Sequence, residues 1–355
     1  MKIFHCDQCG QQVFFENILC ERCGCMLGYL SEIQDISAFE PAGERLWRSL
    51  NRNAAKHLYR QCSNYALENV CNWMIADESA DALCRSCQLT HVIPALGKQQ
   101  NRAYWYKLEQ AKRRLLYNLV TLNLPIVSKR DDPEHGLAFE FLEEASVGEG
   151  VLTGHDDGLI TVNIAEADDV QREQIRSAMK EPYRTLLGHF RHESGHYYFM
   201  RLIRSLPQLT AFRASFGDER TDYAASLERY YREGPTPHWE QSYISAYATS
   251  HPWEDWAETW AHYLHMAATL ETAHACGVTL TPQSPWLPPV VMTHPDAAAS
   301  SFASMIEQWF PLTYVMNSLN RSLGLPDGYP FTLQPAVIAK LRFVHETIAE
   351  QARAG

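Results

Sequence analysis

The stretch His192-Glu193-Ser194-Gly195-His196 carries the clearest chemistry in this sequence. Histidines four residues apart lie one turn above each other on a single helix face, so both imidazoles can reach one metal ion. Zinc accepts neutral imidazole nitrogen, and it keeps a position open for water when the protein supplies only three ligands. Glu193, beside the first histidine, is then placed to take a proton from that water. His189 shares the face, but HExxH chemistry uses the i, i+4 pair, so a supporting or solvent-facing role is expected for it. Gly195 costs about 1 kcal/mol in a helix interior relative to Ala, which a close crossing by another helix would explain. An amphipathic helix with surface histidines would show the same short pattern. The rest of the chain separates the two readings.

A third ligand has to come from downstream. The metzincin continuation would need Gly at 199 and His at 202, where this chain has Phe199 and Leu202. The best stretch runs from Tyr247 to His265. Pro252 suits a first helical position. Trp253, Trp256, Ala257, Trp260, Ala261 and Leu264 then make an apolar stripe, and Glu254, Glu258 and His262 fall on another face. Carboxylates on so apolar a helix need partners, because an unpaired buried carboxylate is expensive. Zinc for one and a ligand histidine for the other would satisfy both. Spacing leaves Glu254 and Glu258 both open as the ligand, and Asp255, on neither stripe, is the weakest candidate.

Cysteines form the second constellation. Nine of the ten fall in the first 87 residues, and Cys276 stands alone. Cys6-x-x-Cys9-Gly10 and Cys20-x-x-Cys23-Gly24 each predict a tight turn that points two sulfurs at one zinc, followed by a glycine that tolerates left-handed backbone. Phe14, Phe15 and Leu19 between them suit the short strands of a zinc ribbon over residues 1–30. Cys25 and His5 are nearby but not needed. Cys62, Cys71, Cys84 and Cys87 can close a second four-cysteine site within residues 31–97. The N-terminus has no apolar signal core, so a cytoplasmic chain with metal-bound thiolates rather than disulfides is expected.

The elements around these sites read as follows. Residues 98–122 predict a helix with Leu108, Leu115, Leu116 and Leu119 on one face and Lys112-Arg113-Arg114 in solvent, ending before Pro125. Leu137–Leu142, Val151–His155 and Leu159–Ile164 read as extended, with Asp156-Asp157-Gly158 as a hairpin turn. Leu159–Ile164 is expected near the catalytic helix, where an edge strand could pair with an extended substrate. A charged helix from Asp169 to Lys180 comes next, and Pro182 then opens a long helix through Leu206 that carries the motif. Ala297–Trp309, Leu312–Leu323 and Pro335–Ala352 have helical periodicity. The net charge of −11, with 8 Lys+Arg against 11 Asp+Glu over residues 1–97, argues against a nucleic-acid or membrane-surface partner.

The order Tyr247-x6-Glu254-x-x-Ala257-Glu258 downstream of HExxH resembles the gluzincin arrangement of the anthrax lethal factor type. That resemblance implies Glu254 as zinc ligand, Glu258 behind a ligand histidine, and Tyr247 facing the substrate carbonyl. The chain as a whole is more similar to a bacterial family of zinc-binding metallopeptidases with an N-terminal zinc ribbon. The matching features are Cys6, Cys9, Cys20, Cys23, Cys71-Asn72-Trp73, Cys84-x-x-Cys87, Gly188–Tyr198 and Trp256–His262. The implied fold is α+β: four-cysteine zinc-ribbon modules at 1–30 and 31–97, then a mostly helical zincin-type domain at 98–355 with a small sheet. The implied activity is peptide hydrolysis with one catalytic and two structural zinc ions. No Gly-x-Met-Glu-Asn exopeptidase motif is found, which points to internal peptide bonds. The rival reading is a zinc-ribbon module that binds a protein partner, with an inactive or partner-activated HExxH domain.

Overall fold

Strands β1 (Phe4–His5) and β2 (Gln12–Val13) pair antiparallel across the first cysteine turn. An antiparallel sheet follows in the order of the chain: β3 (Met26–Leu30), β4 (Asp35–Gly43), β5 (Leu46–Ser49), β6 (Leu58–Gln61) and β7 (Met74–Ala76). Leu27, Tyr29, Ile36, Phe39, Tyr59 and Trp73 are buried about it. A second sheet joins β8 (Thr90–Val92), β9 (Ala138–Leu142), β10 (Gly154–Asp156) and β11 (Leu159–Asn163) in the order β10-β11-β9-β8. Asp157 and Gly158 turn β10 back onto β11 with φ of +42° and +88°, as the Asp-Gly signal predicts. The strand expected at Leu159–Ile164 is present, but it is not an edge. β9 pairs with it along its length and β10 over Leu159–Thr161, so it lies inside the sheet and not at the edge where a substrate strand would add.

The computed structural model describes residues 1–143, 153–179, 185–295 and 300–354. These divide into one unit of residues 2–117 and 127–172, holding both sheets, and another of Met1, 118–126 and 173–355. The helix Gln99–Thr121 buries Leu108, Leu115, Leu116 and Leu119 as its periodicity predicts. Its basic cluster departs from expectation. Lys112 and Arg113 are buried, because Glu109, Thr90 and the rings of Phe139 and Phe141 give the Lys112 ammonium partners that solvent would otherwise supply. Arg114, half-exposed, pairs with Glu16.

Helices make up most of the other unit: Leu186–Leu202, Leu206–Phe216, Tyr223–Glu233, Pro252–Ala275, Phe302–Ser322 and Pro335–Ala354. A short hairpin pairs β12 (Thr279–Leu280) with β13 (Val290–Val291). The motif helix stops at Leu202 instead of continuing through Leu206. Ser205 and Gln208 form a capping box that starts a new helix with Pro207 in its first turn. The periodic segments ending and beginning around Pro311 are one helix, and Trp309 and Leu312 are buried on either side of the proline. Lys180, Pro182, Val151, Leu152 and Ala297 to Ala299 lie outside the described residues. Trp256, Trp260, Trp309, Tyr197, Tyr198 and Tyr263 fill the core.

Candidate metal centres

Two crossing helices build the HExxH site. Thr185 caps the first of them by accepting the Gly188 N–H at 3.0 Å. Where it meets the helix Pro252–Ala275, a Cβ on Gly195 would lie 2.9 Å from the Ala257 Cα, so only glycine permits this approach. The Trp256 indole N–H donates to the Gly195 carbonyl at 2.8 Å, and the Trp260 indole donates to Ser194 Oγ at 3.1 Å. The tryptophan stripe therefore both packs against the motif helix and bonds to it. This sets the rotation that turns Glu254 and Glu258 toward the histidines.

His192 Nε2 lies 3.0 Å from Glu254 Oε2, and His196 Nε2 lies 3.5 Å from Glu254 Oε1. The three residues each offer a ligand atom, all within 4.8 Å of one another. Two ligands about 2.1 Å from a tetrahedral zinc sit about 3.4 Å apart, so the group has the right size for that ion. Glu254 is 1% exposed, and its Oε2 makes no hydrogen bond. A buried carboxylate oxygen left this way is costly unless a cation takes it. Glu258 stands behind. His192 Nδ1–H donates to its Oε1 at 2.6 Å, which turns Nε2 of the ring toward Glu254. Glu254 rather than Glu258 thus joins the group that could hold a metal, and His189 does not.

The electrostatics favour a positive charge at this point. Burial would raise the Glu254 carboxyl, but His196 and His192 outweigh it and hold it well below the usual range. Burial likewise opposes Glu258, which His192, His262 and Ser245 bring down to about 2. Desolvation would lower His192, yet the two carboxylates raise it well above its ordinary value. Glu193 behaves differently. Its burial raises the carboxyl, with the histidines opposing, and its Oε2 has no hydrogen-bond partner among the described residues.

Tyr247 sits in a helical turn, Tyr247–Thr249, with its ring 6.0 Å from that of His192 and edge-on to Tyr230 at 5.7 Å. Sequence reasoning missed a second tyrosine. Tyr223 Oη donates to Glu254 Oε1 at 2.7 Å from the start of its own helix. Thr221, two residues earlier, accepts from His251 Nε2 through its carbonyl at 3.0 Å, while His251 Nδ1 caps the helix of Glu254. Asp222 was readable as an N-cap, but nothing local links it to a residue 32 positions on. Asp255 faces away, in a 2.5 Å buried ion pair with Lys340.

Both cysteine sets come together as separate four-sulfur groups. Cys6 and Cys23, and Cys9 and Cys20, have sulfurs 3.6 Å apart, and Cys71 and Cys84 are 3.7 Å apart. Four thiolates about 2.3 Å from a tetrahedral zinc sit about 3.8 Å apart. Gly10 and Gly24 follow their turns with φ of +71° and +73°, as the knuckle reading requires. Cys25 and His5 stay outside the first group. In the second group burial pushes Cys84 well up, while hydrogen bonds from Cys71 and Cys84 hold Cys62 down.

Comparison with known proteins agrees with this chemistry. Residues 101–347 match a family model described as "Putative zinc-binding metallo-peptidase", and residues 3–98 match a zinc-ribbon domain. An uncharacterised protein of Mycobacterium bovis and two of Mycobacterium tuberculosis strains are each 44% identical over 354 residues, covering 99% of this chain and 96% of theirs. No solved structure matches. With that model matched along the greater part of its length and a zinc ribbon before it, the chain belongs to this zinc-binding metallopeptidase family.

Proposed function

We propose that the chain hydrolyses internal peptide bonds at a zinc held by His192, His196 and Glu254, with Glu193 as general base. The observation that carries this reading is the group of three ligand atoms within 4.8 Å, with the buried carboxylate of Glu193, which has an unbonded oxygen, on the residue next to His192. A zinc bound there would lower the pKa of a water towards about 7 and polarise a carbonyl oxygen. Glu193 takes the proton of the attacking water and later delivers it to the leaving amine. Its burial raises the carboxyl, which brings its proton affinity closer to what that double task needs. Glu258 keeps His192 Nδ1 protonated and its ring fixed. Tyr247 donates to the developing oxyanion, a contact stronger in the transition state than in the ground state. Each cysteine group holds a structural zinc. The ribbon offers a contact for a protein partner, and the chain works in the cytoplasm. Among the described residues, no helix is long and apolar enough to cross a membrane.

Glu193→Gln tests the reading. It should retain the zinc and the fold while lowering kcat on an accepted peptide by about 10²–10⁴-fold. Full activity in that variant would end the general-base role. The burial of the centre, with Glu193 only 6% exposed, favours one second reading: a domain that is silent until a partner opens it. Wild-type protein that holds its zinc yet cleaves nothing in a peptide library would support that version.

A further inference from the structure

The segment 217–223 clasps the start of the helix that carries Glu254. Gly217 passes Pro252 so closely that a Cβ there would lie 3.2 Å from the proline ring. Thr221 accepts from the capping residue His251, and the Tyr223 ring lies 5.2 Å from His251 and 5.9 Å from Trp253. Trp253 in turn packs at 4.4 Å against His196. The Tyr223 hydroxyl, held by these contacts, donates to one oxygen of Glu254 at 2.7 Å. The other oxygen of the same carboxylate makes no hydrogen bond and lies 3.0 Å from His192 Nε2.

A carboxylate can give a metal one oxygen or two. We propose that Tyr223 is a positioning residue of the metal centre: by occupying Glu254 Oε1 it leaves Oε2 alone to the metal and fixes the carboxylate as a single-oxygen ligand. This rests on the reading of His192, His196 and Glu254 as that centre. An outer partner that orients a ligand in this way typically governs metal affinity by about 10–100-fold.

The test uses the full chain loaded with zinc and titrated against a chromophoric chelator, as wild type, Tyr223→Phe, Tyr247→Phe and His196→Ala. Tyr223→Phe keeps the ring and its packing and removes only the hydroxyl. The zinc that His196→Ala loses should be held about 10–100-fold more weakly in Tyr223→Phe and within about threefold of wild type in Tyr247→Phe. With cobalt(II) in place of zinc, Tyr223→Phe should also weaken the visible absorption, since a freed Oε1 can join Oε2 and raise the coordination number. Unchanged affinity together with an unchanged cobalt spectrum in Tyr223→Phe would overturn the proposal while leaving the metal centre standing. Full zinc retention by His196→Ala would instead overturn the centre itself, and the role of Tyr223 with it.

Discussion

The two four-cysteine groups offer the same donors at nearly the same sulfur separations, yet they are built in opposite ways. The first comes from two turns whose outermost cysteines are 17 positions apart, each closed by its own backbone: Gly10 N–H donates to Cys6 O and Gly24 N–H to Cys20 O, both at 2.8 Å. Cys23 is exposed. The second draws on a helical turn, a strand approach and a loop between Cys62 and Cys87, and all four cysteines are buried. Four thiolates around one zinc carry a net charge of −2, part of which the first group can leave to water at Cys23. The buried group must meet it with protein. Cys84 N–H donates to Cys62 Sγ at 3.3 Å and Trp73 N–H to Cys71 Sγ at 3.4 Å. Arg113 reaches Val70 O at 2.7 Å, and although burial would lower its guanidinium, Cys71, Glu109, Cys87 and Cys84 outweigh that and raise it. A buried metal-thiolate site therefore needs a wider set of residues than its ligands.

The largest effect expected from this contrast is in single-ligand loss. Cys84→Ser should lower unfolding stability by about 3–5 kcal/mol, because it strands buried charge, whereas Cys23→Ser should cost about 1 kcal/mol. Urea unfolding of the two variants side by side measures it, and equal losses would break the comparison. Arg113→Met comes next. It keeps the stem and removes the charge, so it should cost about 2–4 kcal/mol and speed zinc release from the buried group only. Release to a chelator, followed in Cys23→Ser and Arg113→Met, separates the two groups.

The smallest effect extends the rule to a buried group whose neighbours only partly offset its burial. His262 is taken down to about 4 by burial, with Glu258 opposing, and its Nδ1 lies 3.0 Å from Tyr329 Oη. Its folded-state pKa is below the unfolded value near 6.5, so the unfolded chain binds more protons between those limits. Stability is then fully present above about pH 6.5 and is lost as pH falls towards 4, by at most about 3 kcal/mol. Tm measured across that range in wild type and His262→Gln checks it: the variant should show the flatter profile.

Much of the site was legible because its chemistry is local. A Cys-x-x-Cys-Gly turn and an i, i+4 histidine pair need only a few residues to exist, and Gly195 announced a close crossing before its partner Ala257 was known. The end of the motif helix was also within reach, since Ser205-Leu-Pro-Gln208 is a capping box in the sequence itself. Lys112 and Arg113 were not readable. A basic run on a helix belongs in solvent unless distant residues supply partners, and Thr90, Phe139 and the cysteines lie far along the chain. The strand Leu159–Asn163 was readable as a strand but not as an interior one, because strand order depends on which segments pair from outside it.

The sequence by itself determined which atoms can take metal, because ligand type and turn or helix spacing are properties of neighbouring residues. Only the tertiary structure brings Glu254, and not Glu258 on the same helix face, within 4.8 Å of ligand atoms of both histidines. The rotation imposed by Trp256 and Trp260 on the motif helix brings Glu254 to the histidines' Nε2 atoms and leaves Glu258 to His192 Nδ1. It alone also brought Tyr223 to Glu254, because that contact depends on how two separate helices begin and on the clasp that holds them together.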